Sequence, residues 1–73
     1  MFGSDELKRL KKIAKVVSRD GPVSPVVLTK AIIAAEPDLA TRLSGRGKFL
    51  KTLVAIGIVE RLGTGAALQV RAA

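Results

Sequence analysis

Apolar residues recur at every third or fourth position near the start of the chain: Leu7, Leu10, Ala14 and Val17, with Ile13 beside them. That spacing predicts an amphipathic helix from Ser4 to Arg19. Ser4 supplies an N-cap, and Asp5 and Glu6 put negative charge on the first turn, where the helix dipole favours it. Lys8, Lys11, Lys12, Lys15 and Arg19 fall on the opposite side, giving an almost purely cationic outer face. Residues 1–4 are expected to be a flexible leader. Asp20-Gly21-Pro22 closes the helix, because Gly accepts the left-handed position after a helix end and Pro cannot continue it.

Ser24-Pro25 opens a second helix, an N-cap followed by Pro at the first helical position. Val27, Leu28, Ala31, Ile32 and Ala35 form its broad apolar face, with Val26 and Ile33 off the centre. Glu36-Pro37 stops it, since a residue before Pro avoids the helical region. Asp38 to Leu43 is ambiguous: it fits one short helical turn with Leu39 and Leu43 pointing inward, but no clear element. A third helix is expected from Ser44 to Gly57. Leu50, Leu53, Val54 and either Phe49 or Ile56 make its apolar stripe, while Arg46, Lys48, Lys51 and Thr52 stay outside.

The period then changes. Ile58-Val-Glu-Arg-Leu62 reads as a strand, Gly63-Thr-Gly65 as a turn, and Ala66 to Arg71 as the returning strand. Glycines in a short linker between two strand-like runs predict a β-hairpin. A lone hairpin is marginal in water, so this one must pack on the helices. The pattern as a whole predicts a mainly α domain of three helices with a small C-terminal β-hairpin.

Length and composition sharpen this reading. The 73 residues suit one domain. A chain of this size buries only about 60% of its unfolded surface, so its core is small. It contains no Cys and no His. This excludes disulfide scaffolds, the usual zinc sites, thiol nucleophiles and His-based triads. No metal and no cofactor is expected. No apolar run approaches the ~20 residues of a membrane span. The N-terminus lacks the apolar centre of a signal peptide, so a cytoplasmic, nucleoid-associated or nuclear location is expected rather than secretion. Thirteen Lys and Arg against six Asp and Glu give a net charge of +7, while 48% of residues are hydrophobic. A packed, strongly basic domain points to a polyanion, with nucleic acid first and an anionic membrane surface second.

Two stretches carry a resemblance. Gly21-Pro-Val-Ser-Pro-Val-Val-Leu28 resembles the lead into the second helix of winged helix-turn-helix domains. Leu50-x-x-Leu53-x-x-x-Gly57-Ile-Val-Glu-Arg61 resembles the end of their recognition helix running into the wing. The resemblance implies a third helix anchored by two leucines, a Gly at the helix-to-strand turn, and a basic residue at the wing base. It implies nucleic-acid binding without catalysis. Pro37-Asp-Leu39, Gly45 and Lys48-Phe-Leu50 are similar to the OST-HTH (LOTUS) winged helices, which implies RNA. The extra Arg46-Gly47 and the missing aromatic before the Gly depart from that pattern. Val23-Ser-Pro-Val-Val-Leu28 also resembles a ribosomal winged-helix protein, although the insert Glu36 to Leu43 does not fit it.

The third helix, with the wing after it, is the expected reader. Arg42, Ser44, Arg46, Lys48, Lys51 and Thr52 surround its start, and Gly45 and Gly47 allow close backbone approach. Free N–H groups at a helix start also favour phosphate. Arg61 and Thr64 mark the wing, residues 61–66. Lys8, Lys12, Lys15 and Arg19 are candidate phosphate contacts on the first helix. With only Phe2 and Phe49 as aromatics, base stacking on a single strand is disfavoured. Duplex DNA is preferred over RNA. The alternatives are an RNA-binding winged helix and a protein-interaction module or homodimer, for which Val26 and Ile33 would supply an apolar patch. The acids are scattered, Ser18, Ser24 and Ser44 have no base partner, and Gly45-Arg-Gly-Lys48 is too short for a phosphate loop, so catalysis is not expected.

Overall fold

The computed structural model describes residues 2–44 and 48–73. Among the described residues it contains four helices followed by an antiparallel hairpin: α1 (Ser4–Val17), α2 (Pro25–Ala35), α3 (Pro37–Leu43), α4 (Phe49–Ala55), β1 (Val59–Leu62) and β2 (Gln69–Ala72). The mainly α class with a C-terminal hairpin agrees with the sequence pattern. The number of helices does not.

The additional helix is α3, where the sequence pattern is ambiguous. Pro37 sits at its first position and Asp38 in its first turn. Leu39 and Leu43, four apart, are both buried, and so is Ala40. Two turns of helix are marginal in isolation. Here three buried side chains in seven residues hold them on the core. The predicted third helix shortens in consequence. Ser44 does not open it: its Oγ donates to Ala40 O at 2.6 Å and so finishes α3. The described helix begins at Phe49, with Lys48 at its N-cap.

Local chemistry sets the other boundaries. Gly3, not Ser4, is the N-cap of α1. Glu6 Oε1 accepts from Gly3 N at 2.8 Å, which is half of a capping box. Phe2, expected in a free leader, packs against the core. Helix α1 stops at Val17 rather than Arg19, and Ser18 is its C-cap. At α2, Ser24 Oγ accepts from Val27 N at 3.4 Å and Pro25 follows at the first position, as the sequence indicates.

Helix α4 ends in a Schellman motif. Ile58 N donates to Leu53 O at 3.0 Å and Gly57 N to Val54 O at 3.1 Å. Gly57 takes φ +80°, a conformation that costs any side chain. The two residues joined by the longer loop of that motif, Leu53 and Ile58, are both buried. The Leu53-x-x-x-Gly57-Ile58 spacing is therefore a helix-termination device.

The hairpin pairs Val59 with Ala72, Glu60 with Arg71, Arg61 with Val70 and Leu62 with Gln69. The predicted second strand is too long at its start: Gly65–Ala67 is a 3-10 turn and pairing resumes at Gln69. On the free side of β2, Val23 forms a bridge to Val70. This ties the α1–α2 connection into the sheet. Ser18 adds a second tie: its Oγ accepts from Ala72 N at 3.1 Å while donating to Ala14 O at 2.7 Å.

One core results, built from Leu10 and Ala14 of α1, Leu28 and Ile32 of α2, Leu39, Ala40 and Leu43 of α3, Leu53 of α4, then Ile58, Val59 and Val70. Helix α1 packs on α2 and β2, and α4 packs on α3, α2 and β1. Among the described residues no polar or charged side chain is buried.

Candidate nucleic-acid interface

Helix α4 turns Leu53 fully inward, with Phe49, Leu50, Val54 and Ile56 packed around it. Lys48, the N-cap, and Lys51 are three positions apart, so the two lie on one side of the helix start. Both are exposed. Thr52, predicted to face outward with them, is instead half-buried. It lines a cleft of about 570 Å³ between α1 and α4, together with Phe2, Leu7 and Ile56. Lys48 lies one turn before Thr52, whose N–H donates to Lys48 O at 2.9 Å. Lys11 lies one turn beyond Leu7 on α1, and Lys8 is next to it in sequence; both are exposed. The cleft therefore has a mainly apolar lining, with exposed lysines close to its lining residues in sequence on both helices.

Lys8, Lys11, Lys12 and Lys15 follow one another at three- and four-residue spacing and so share one exposed stripe of α1. Lys12 also lines a depression between α1 and α2, and exposed Arg19 lies just past the helix end.

Arg42 differs from the other predicted contacts. Its Nη1 donates to Glu6 Oε2 at 2.5 Å, and its guanidinium carbon lies 4.4 Å from the centre of the Phe2 ring. A charge opposed by a carboxylate and lying over an aromatic face holds α3 to the start of α1. The carboxyl of Glu6 is held below its usual range, first by the Gly3 N–H, which outweighs the opposing effect of desolvation, and then by Arg42 and Arg9.

Two further ion pairs among the described residues also use arginine. Arg9 meets Glu36 at 3.4 Å, joining α1 to the α2–α3 junction, and Arg71 meets Glu60 across the hairpin. Arginine suits such sites because its planar fork holds a carboxylate in fixed geometry. Lys8, Lys11, Lys12, Lys15, Lys30, Lys48, Lys51, Arg19 and Arg61 make no ion pair among the described residues. The acids that stabilise the fold are thus spent on arginines, and the lysine charge of α1 and α4 is left unopposed.

In the hairpin, Arg61 and Thr64 are exposed. Arg61 is paired in register with the buried Val70 and is itself exposed. Thr64 is the cap of the 3-10 turn. Ser44 is exposed, its hydroxyl occupied by α3. Arg46, with Gly45 and Gly47, lies outside the described residues. Among the described residues no group of His, Cys, Asp and Glu could hold a metal ion, and no helix is long and apolar enough to cross a membrane.

Sequence reasoning misses the opposition of Arg42 by Glu6, because 36 positions separate them. It also misses the cleft, whose floor includes Phe2. Compared with family models, curated proteins and solved structures, the chain matches none.

Proposed function

We propose that this chain is a non-enzymatic nucleic-acid-binding domain of winged-helix type. Its reading surface is the outer face of α4 with the neighbouring bank of α1 and the hairpin turn, and duplex DNA is its preferred partner. The observation that carries the reading is the division of labour among the cations. Arg9, Arg42 and Arg71 close partly exposed ion pairs that join elements of the fold, while Lys48 and Lys51 at α4 and Lys8 and Lys11 on α1 stand exposed without an ion pair among the described residues. Unopposed surface cations on one side of a domain release counterions when they meet phosphates, which is the main source of affinity for a duplex.

The layout supports the same reading. A helix anchored by Leu53 passes through a Gly57 turn directly into a two-stranded hairpin, and Val23 fixes the α1–α2 connection to β2. This order is compatible with a winged helix. Contacts of this kind position a duplex more than they read its bases.

Binding should fall steeply with salt. If about five phosphates are neutralised, log affinity against log salt should slope at about −4 to −5. Titration of a DNA duplex at several salt concentrations tests this directly. Affinity that is flat with salt would overturn the reading. A matched RNA duplex in the same titration decides between the two nucleic acids.

A further inference from the structure

We infer that the groove between α1 and α2 is a docking site for an acidic amphipathic helix of a protein partner. The groove measures about 300 Å³ and is lined by Ile13, Val16 and Val17 of α1, Ala31 and Ala35 of α2, and Lys12. Its lining shares no residue with the cleft beside α4.

Of the large exposed hydrophobics among the described residues, Val16 lines the groove, Val27 continues its α2 side by helical spacing, and Val26 and Ile33 face away from it on α2. Val16 keeps 56% and Val27 48% of its surface in water. Val27, Ala31 and Ala35 stand four apart, so Val27 prolongs the α2 wall of the groove. The alanines keep that wall low. A channel between two helices, with a low wall on one side, accepts the side-chain ridge of a third helix. A helix laid in such a groove inserts residues spaced i, i+3, i+4 and i+7.

Charge selects the occupant. Lys12 stands on the α1 bank, one turn before Val16, and Lys30 on the α2 bank, three residues after Val27. Lys12 and Lys30 are exposed and make no ion pair among the described residues. Among those residues no acid lines the groove. Glu36, next to Ala35, is already held by Arg9. A second copy of the chain would bring lysine against lysine and add its own +7. Nucleic acid would leave the apolar floor uncovered. A helix with a leucine ridge flanked by glutamates satisfies both the floor and the banks.

The test uses the intact chain labelled with nitrogen-15 and three synthetic helical peptides. One carries the leucine ridge flanked by glutamates, one the same ridge flanked by lysines, and one the same glutamates with alanines in place of the leucines. The first should bind saturably, with shift changes centred on Ile13, Val16, Ala31 and Ala35. Val16→Asp and Ala35→Arg, both at exposed positions, should each weaken it roughly tenfold or more. Lys12→Glu with Lys30→Glu should reverse the preference toward the lysine-flanked peptide. Equal binding of the alanine peptide, or shift changes centred on Lys48 and Lys51, would reduce the effect to net charge and overturn the proposal. Self-association of the free chain that Ala35→Arg abolishes would assign the groove to a second copy instead. Anionic vesicles that compete with the peptide and lose their binding in Val16→Asp would assign it to a membrane surface. None of these outcomes bears on the salt-dependent binding of a duplex.

Discussion

The guanidinium of Arg42 lies 4.4 Å from the centre of the Phe2 ring. The same side chain is bound by Glu6, whose other carboxylate oxygen caps the start of α1 through Gly3 N. One carboxylate thus serves two elements, and the start of the chain is fixed by the end of α3. The arrangement makes acid stability depend on Glu6. Its folded-state affinity for a proton is lowered, so the unfolded chain binds the proton more readily. The stabilisation is present above the ordinary carboxylate range and is lost as pH falls through the depressed folded value. Thermal midpoints measured from neutral to strongly acid pH should fall on the acid side. In Glu6→Gln the neutral midpoint should be lower and the acid decline shallower. An unchanged acid decline would show that Glu6 does not control it.

Two glycines should differ in their tolerance of a side chain. Gly57 has φ +80° but open space where a methyl would stand, so Gly57→Ala carries only the conformational cost, about 1–2 kcal/mol. At Gly63, also at φ +80°, a Cβ would lie 2.9 Å from Ala67 O. Strain and a backbone clash then combine, and Gly63→Ala should cost more, toward about 3 kcal/mol. Urea denaturation of the two variants gives the comparison. Equal losses would mean that the hairpin turn relaxes around the added methyl.

Leu53 is fully buried at the centre of α4 and holds the helix by its side chain and its carbonyl. Leu53→Ala should cost about 2–5 kcal/mol. That is a large share of the few kcal/mol available to so small a core. The variant should be largely unfolded at 37 °C by circular dichroism, whereas Lys51→Ala at the exposed position two residues earlier should melt with wild type.

Much of the fold is legible in the sequence because its signals are local. Ser24-Pro25 starts α2 by cap chemistry, and Leu53 to Ile58 ends α4 by backbone geometry that only Gly57 allows. Helix α3 is less legible because its stability comes from burial of Leu39, Ala40 and Leu43 rather than from any cap signal. Val23 leaves no strand pattern, since a single residue makes the bridge. Ala66 to Leu68 suit a strand by hydropathy, but positive φ at Gly63 and Gly65 turns the chain into a 3-10 turn first. The candidate site is only partly legible. The exposed side of α4 follows from the leucine spacing, which places Lys48 and Lys51 correctly. Thr52 is misplaced because the wall it faces is built by Phe2 and Leu7, from the far end of the chain.

Arg42 and the α4 lysines should separate in a paired experiment. Arg42→Gln removes one partner of Glu6 and the cation over Phe2, so its effect should fall on stability, as a lowered melting temperature. Its duplex affinity at a temperature where both proteins are folded should change little. Lys48→Glu with Lys51→Glu alters exposed side chains that make no ion pair among the described residues, so the melting temperature should stay close to wild type. Two phosphate contacts are lost and replaced by repulsion. The slope of log affinity against log salt should become shallower by about 2, and the affinity for duplex DNA should drop sharply at low salt. Fluorescence anisotropy with a labelled duplex and a parallel thermal melt read the two effects separately. If Arg42→Gln weakens the duplex as much as the lysine reversal does, with no loss of stability, the division between arginines that close the fold and lysines that meet phosphate fails. The interface would then have to be redrawn around α3.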